Sequence, residues 1–158
     1  MQELQLSIPY KKLSYDELDG RRQRLVDLAR QYTHNAYAPY SHFHVGAAIA
    51  LDNGEVVCGA NQENAAFPSG TCAERSACFS AGARFPEAKF EIIAIAARGT
   101  DGNELRMPVA PCGACRQALL EYEGRAGHDV EVLLVGSEAI FALESVQSLL
   151  PFAFTELG

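Results

Sequence analysis

At 158 residues, with 48% hydrophobic and 21% charged side chains, the chain has the size and composition of one globular unit, not of a disordered, fibrous or two-core protein. Its formal net charge is −7 and basic residues group only at Arg21, Arg22 and Arg24, which argues against a nucleic-acid partner, because phosphate neutralisation needs a dense basic stripe. The opening segment MQELQLSIPYKKL has no continuous apolar core and no small-residue cleavage site, and no apolar run reaches about 18 residues, so a cytoplasmic protein with no membrane partner and reduced cysteines is expected.

Ser14 and Glu17 have capping-box spacing, and Leu18, Leu25, Leu28 and Ala29 fall near one face of the stretch after them. A helix over roughly 14–33 is predicted, with Gly20 as its weak point. Pro39, in A-Y-A-P-Y-S, breaks it and begins a loop. The apolar runs Val45–Leu51 and Val56–Gly59 flank Asn53-Gly54, a hairpin signal. Alanine-rich Cys72–Ala83 reads as a helix that starts at its cysteine and ends near Gly82. Glu91–Ala97 has the continuous apolar character of a strand buried on both faces, 99–110 is a polar loop, Gly113–Glu123 is a second short helix, and Val130–Val135 is another strand. Helices that alternate with strands in this way imply an α/β fold with a mixed β-sheet between helical layers.

The residues that carry chemistry stand at the starts of those two helices, in C-A-E (72–74) and P-C-G-A-C (111–115). Three thiolates, from Cys72, Cys112 and Cys115, suffice to hold zinc and leave its fourth position open. Glu74 comes two residues after the first ligand, where its carboxylate serves as a proton carrier without being needed as a ligand. Arg75 reads either as a donor to thiolate sulfur or as an ordinary solvated helix arginine. Cys58 and Cys78 read as small buried hydrophobes; Cys78 lies six residues after Cys72, a rotation of roughly 240° on a helix. Two other readings of the cysteines remain. C-x-x-C alone also fits a redox pair, although such a motif needs no third cysteine, and a structural zinc would take a fourth ligand from His42, His44 or Cys58.

Five segments in order, A-P-Y-S-H-F-H-V-G-A-A (38–48), N-Q-E-N-A (61–65), C-A-E-R-S-A (72–77), P-C-G-A-C-R-Q (111–117) and L-L-P-F-A-F (149–154), carry a wider likeness. From about Leu13 to Phe154 the chain resembles the small homotetrameric cytidine deaminases that act on free nucleosides. The resemblance implies a three-layer α/β/α catalytic domain over residues 1–158, one Zn2+ per subunit, and hydrolysis of cytidine or deoxycytidine to uridine or deoxyuridine and ammonia in pyrimidine salvage. It further implies Cys72, Cys112 and Cys115 as the zinc ligands, Glu74 as proton shuttle and Arg75 as donor to ligand thiolates. Asn61 and Glu63 are implied at the ribose 3′-hydroxyl, Phe43 near the pyrimidine and the Ala73 N–H on the base, with Phe154 supplied over the base by a neighbouring subunit. Read without it, Asn61 and Glu63 are an ordinary polar loop, Phe43 and Phe154 are core residues and Tyr40 is packing. Phe67 stands where many relatives have tyrosine, Ser69 and Thr71 replace commonly aliphatic positions, and His44 lies at a variable one. The rival functions are deamination of another aminopyrimidine nucleoside and a non-enzymatic zinc-stabilised binding module; the second leaves Glu74 unexplained.

Overall fold

Six strands form one sheet in the computed structural model, which describes residues 1–157. They are β1 (Lys11–Leu13), β2 (His44–Leu51), β3 (Val56–Ala60), β4 (Phe90–Arg98), β5 (Glu131–Val135) and β6 (Ile140–Leu143), in the order β1-β6-β5-β4-β2-β3. Only β4 and β5 pair in parallel; the other neighbours are antiparallel. Three helices, α1 (Gly20–Tyr32), α2 (Ala73–Arg84) and α3 (Gly113–Ala126), complete the fold.

Period-two alternation decides what each face buries. Ala47, Ile49, Ile93, Ile95, Val132 and Leu134 point to a core shared with Ala77 and Cys78 of α2 and Leu119 of α3. Their neighbours Ala48, Ala50, Ile92, Ala94, Leu133 and Val135 point the other way, to Leu25, Val26 and Ala29 of α1. The result is the expected three-layer α/β/α arrangement on a mixed sheet.

Strand direction explains why two helix starts 40 residues apart meet. Both β3 and β4 run antiparallel to β2, so they run parallel to each other, and their C-terminal ends lie at one edge of the sheet. Helix α2 comes after β3 and α3 after β4, so both begin at that edge. Gly59 brings α2 close. A Cβ built there would lie 2.5 Å from Ala77 N and 2.7 Å from Ala73 O, so only glycine lets the first turns of α2 rest on β3.

Three sequence expectations change. The Ser14–Glu17 box closes a one-turn 3-10 segment, Tyr15–Glu17, in which Glu17 Oε2 accepts the Ser14 N–H at 2.7 Å. Helix α1 starts later, at Gly20, and is capped by Asp19, whose carboxylate accepts the Arg22 N–H at 2.9 Å. Helix α2 runs through Gly82 to Arg84, and Gly82 acts as a contact, since a Cβ there would come within 2.5 Å of the Tyr122 hydroxyl on α3. Finally, β1 and β6 are additions to the predicted order. They pair with each other and extend the sheet beyond β5.

Candidate metal centre and active site

Cys72 and Cys112 are the N-cap residues of α2 and α3, both in extended conformation and neither making a side-chain cap hydrogen bond. The first N–H groups of both helices therefore stay free beside the sulfurs, together with the positive ends of the helix dipoles. Cys115 joins them from the first turn of α3. The Cys72–Cys112 Sγ separation is 3.9 Å, the Cys112–Cys115 separation is 3.5 Å, and all three sulfurs lie within 4.8 Å of one another. Tetrahedral thiolates at about 2.3 Å from zinc stand about 3.8 Å apart. The trio fits that ion.

Among the described residues this is the one cluster of metal-ligating side chains, and it contains neither His42, His44 nor Cys58. No fourth protein ligand closes the site, which is the arrangement of a catalytic zinc and not of a structural one. Glu74 is buried, and its Oε2 lies 3.7 Å from Cys115 Sγ, next to the cluster yet outside it. Burial pushes its carboxyl above the usual carboxylate range, with the Cys72 charge acting in the same direction.

Arg75 Nη2 donates to Cys72 Sγ at 3.7 Å, and its Nε is buried without a protein partner. This geometry goes with the thiolate-donor reading of Arg75. The Cys72 thiol is drawn down to about 5, first by the hydrogen bond from Cys115 and then, against the effect of burial, by Arg75. Cys115, as donor in that pair, is pushed up. Cys78 is buried as the sequence reading expects, while Cys58 is only partly buried and packs against the core on the α1 side. Burial raises the Cys58 thiol to about 11 and the Cys78 thiol to about 12, so both stay protonated and inert.

A cleft of about 530 Å³ opens beside the cluster, lined among others by Tyr40, Asn61, Glu63, Phe67, Cys72 and Arg75. Asn61 and Glu63 thus share one wall with the first sulfur. Each also holds the preceding loop. Asn61 Oδ1 accepts the Val45 N–H at 2.7 Å and its Nδ2 donates to Phe43 O at 2.9 Å, while Glu63 Oε2 accepts from Tyr40 N at 2.8 Å and Ser41 N at 3.2 Å. Ala73, the first residue of α2, is fully buried beside Cys72.

Two expected residues stand apart from the cleft. Phe43 is half-buried and outside its lining. Phe154 is 68% exposed, and its carbonyl accepts from Gln117 Nε2 at 2.9 Å, against α3 of its own chain. Tyr40, read from the sequence as packing, lines the cleft and meets Phe67 edge-on at 5.7 Å between ring centroids.

Arg116 and Glu123 escape sequence reasoning. Arg116 donates to Pro111 O at 2.8 Å and Leu149 O at 2.7 Å, which ties the Cys112 loop to the C-terminal segment. Buried Glu123 accepts three backbone N–H groups, from Val130, Val146 and Gln147. Leu149, Val146 and Gln147 lie far off in sequence. The only signal for Arg116 is its place in the P-C-G-A-C-R-Q segment.

Three thiolates around an open metal position, with a buried non-ligand carboxylate beside them, define a zinc hydrolase. The family description "cytidine and deoxycytidylate deaminase zinc-binding region" matches residues 20–126. The cytidine deaminase of Halalkalibacterium halodurans is 40% identical over 134 residues, which span 85% of this chain and 94% of that protein. The crystal structure of cytidine deaminase from Burkholderia pseudomallei aligns with a TM-score of 0.72 at 36% identity, over 87% of this chain and 100% of that one. That of Mycobacterium tuberculosis aligns with a TM-score of 0.67 at 31% identity, over 87% and 100%. The chain belongs to the cytidine and deoxycytidylate deaminase family.

Proposed function

We propose that this chain deaminates cytidine and deoxycytidine hydrolytically at C4 of the base, giving uridine or deoxyuridine and ammonia, as a cytoplasmic enzyme of pyrimidine salvage. The observation that carries this reading is the position of Glu74, buried and 3.7 Å from a thiolate of the cluster while remaining outside it. Cys72, Cys112 and Cys115 would hold the zinc ion, which when bound would act as a Lewis acid and lower the pKa of a water to about 7.

Glu74 then moves two protons. Its carboxylate accepts the proton released from water and passes it to N3 of cytosine. It next takes the proton of the hydroxyl left on C4 and delivers it to the departing amino group. Transfer in both directions requires a carboxyl whose pKa approaches the working pH, and burial moves Glu74 that way. The Ala73 N–H, free at the helix start, binds the base, and Phe43 stacks near it once the cleft is filled. Asn61 and Glu63 hold the ribose 3′-hydroxyl, each keeping hydrogen-bonding capacity beyond its loop contacts.

The cleft favours a nucleoside over a nucleotide. Its one lining cation, Arg75, faces Cys72, and Glu63 adds a carboxylate to the wall. We assign the active form to a homotetramer. Phe152 and Phe154 are 98% and 68% exposed although Leu150 and Ala153 pack on their own core, which leaves an apolar tail for a neighbour's cleft.

The test is to follow ultraviolet absorbance while the zinc-loaded protein meets cytidine, deoxycytidine, CMP, dCMP, cytosine and adenosine. Turnover of the two cytosine nucleosides ahead of all others is expected. Preference for dCMP, or no turnover of either nucleoside, overturns the reading.

A further inference from the structure

The loop that precedes β2 is fastened to the cleft wall residue by residue. Tyr37 N–H donates to Asn61 O at 2.9 Å, Glu63 N–H donates to Tyr37 O at 2.8 Å, and the Asn61 amide spans Phe43 O and Val45 N. Between these anchors the chain makes a tight turn. His42 takes a positive φ of 56° and donates its N–H to Ala38 O at 3.0 Å. A non-glycine residue in this region is uncommon and is held there by its surroundings.

One side chain works in both directions at this turn. The Ser41 hydroxyl donates to Glu63 Oε1 and accepts the Phe43 N–H at 3.1 Å. It therefore links the carboxylate expected at the sugar to the backbone of the aromatic residue expected at the base. It also determines how much of Glu63 is left for a ligand. An ionised carboxylate offers about four acceptor positions. Oε2 accepts from Tyr40 N and Ser41 N, and Oε1 accepts from Ser41 Oγ. One position remains, on Oε1.

We propose that Ser41 is a positioning residue for sugar recognition: its hydroxyl fixes the Glu63 carboxylate and restricts it to a single open acceptor site, which takes one sugar hydroxyl. This rests on the proposed nucleoside deaminase function and adds to it a specificity-determining residue. Ser41 touches no reacting atom and acts through Glu63. The same bonds hold Glu63 in its ionised form, since the Ser41 hydrogen bond and those from the Tyr40 and Ser41 N–H groups lower its pKa.

An exposed serine that bonds the N–H two residues on is also a common turn device, so the test must separate sugar recognition from turn stability. Steady-state rates on cytidine and 3′-deoxycytidine do so for wild type, Ser41→Ala and Ser41→Thr. Loss of a hydrogen bond to a charged group should raise KM for cytidine about 10-fold in Ser41→Ala and leave kcat within about 2-fold. The same substitution should add no penalty with 3′-deoxycytidine, where Glu63 has no hydroxyl to meet, and Ser41→Thr should restore the cytidine KM.

Equal losses on both substrates, or an unchanged cytidine KM, overturn the role of Ser41 while the deaminase reading stands. A wild-type protein inactive on cytidine overturns that reading and this assignment with it. If Ser41→Ala fails to fold, Ser41→Cys keeps the side-chain size and weakens the donor, and it must show the same substrate-dependent loss or the proposal fails.

Discussion

Helix α1 and the two site helices enter through the same backbone geometry and use it differently. Asp19, Cys72 and Cys112 are all extended at the N-cap, with ψ of 167°, 158° and 166°. At Asp19 a carboxylate turns back and accepts the Arg22 N–H, which closes the first turn of α1. At Cys72 and Cys112 no side chain closes the turn, and cysteine is not among the residues that cap well. Each site helix therefore forgoes about 1 kcal/mol of capping and keeps its N–H groups and dipole available to a cluster of thiolates. Stability is placed at the start of α1 and chemistry at the starts of α2 and α3.

The sharpest way to break this contrast is to give a site helix a proper cap. Serine caps well and ligates zinc poorly, so Cys112→Ser should abolish activity and lower zinc per chain well below one. Stripped of metal, the variant should melt no lower than metal-free wild type, and up to about 1 kcal/mol more stably. Cys58→Ala and Cys78→Ala should keep their zinc. Full zinc in Cys112→Ser, or loss of zinc from either control, would show that the ligands are wrongly chosen.

Glu74→Gln separates holding the metal from moving protons. The amide preserves size and burial and cannot shuttle, so zinc content should stay at the wild-type level while kcat falls about 10⁴-fold, the upper end for a group that serves several transfers. Because burial holds the Glu74 carboxyl above its usual range, its ionised form is disfavoured in the folded state, and the neutral replacement should not lower stability. Metal analysis beside single-turnover kinetics tests both halves. Near-normal turnover with zinc bound would remove Glu74 from the mechanism.

The metal cluster is legible in the sequence because its spacing is local. Cys72 and Glu74 lie within one turn, as do Cys112 and Cys115, and alanine-rich or apolar stretches announce the helices they start. The strands β2 to β5 are legible for a similar reason, as long apolar runs bounded by turn residues. The features that escape depend on distant partners. β1 has three residues, two of them lysines, and becomes a strand only because β6 lies beside it; β6 has four residues, too short a run to be told from a buried loop even with Gly136-Ser137 ahead of it. Ser14 and Glu17 do form the expected box, but it closes a 3-10 turn ahead of α1, and pattern alone cannot tell such a turn from the α-helix beyond it. The bond from Ser41 to Glu63 spans 22 residues and those from Glu123 to Val146 and Gln147 span 23 and 24, distances at which no spacing rule operates.

The smallest effect belongs to the conventional cap, and it sets the scale for the comparison. Asp19→Ala should lower stability by about 1 kcal/mol, with zinc content and cytidine kinetics unchanged. The substitution also removes the exposed Asp19–Arg22 ion pair, which is worth little, and Arg22 keeps Glu131 as a partner. The direction of the pKa shift sets the pH dependence. The Arg22 N–H holds the Asp19 carboxyl below its usual range. A carboxyl depressed in the folded state stabilises above its unfolded pKa of about 3.9, and that contribution is lost as pH falls through the folded value. The melting difference between wild type and Asp19→Ala should therefore be full at pH 7 and shrink below about pH 4. Asp19→Asn, whose amide oxygen caps without a charge, should keep most of the wild-type stability at pH 7 and show no such decline. Equal melting of wild type and Asp19→Ala at pH 7 would mean that Leu25, Val26 and Ala29 hold α1 by packing alone, and that leaving α2 and α3 uncapped costs the protein nothing.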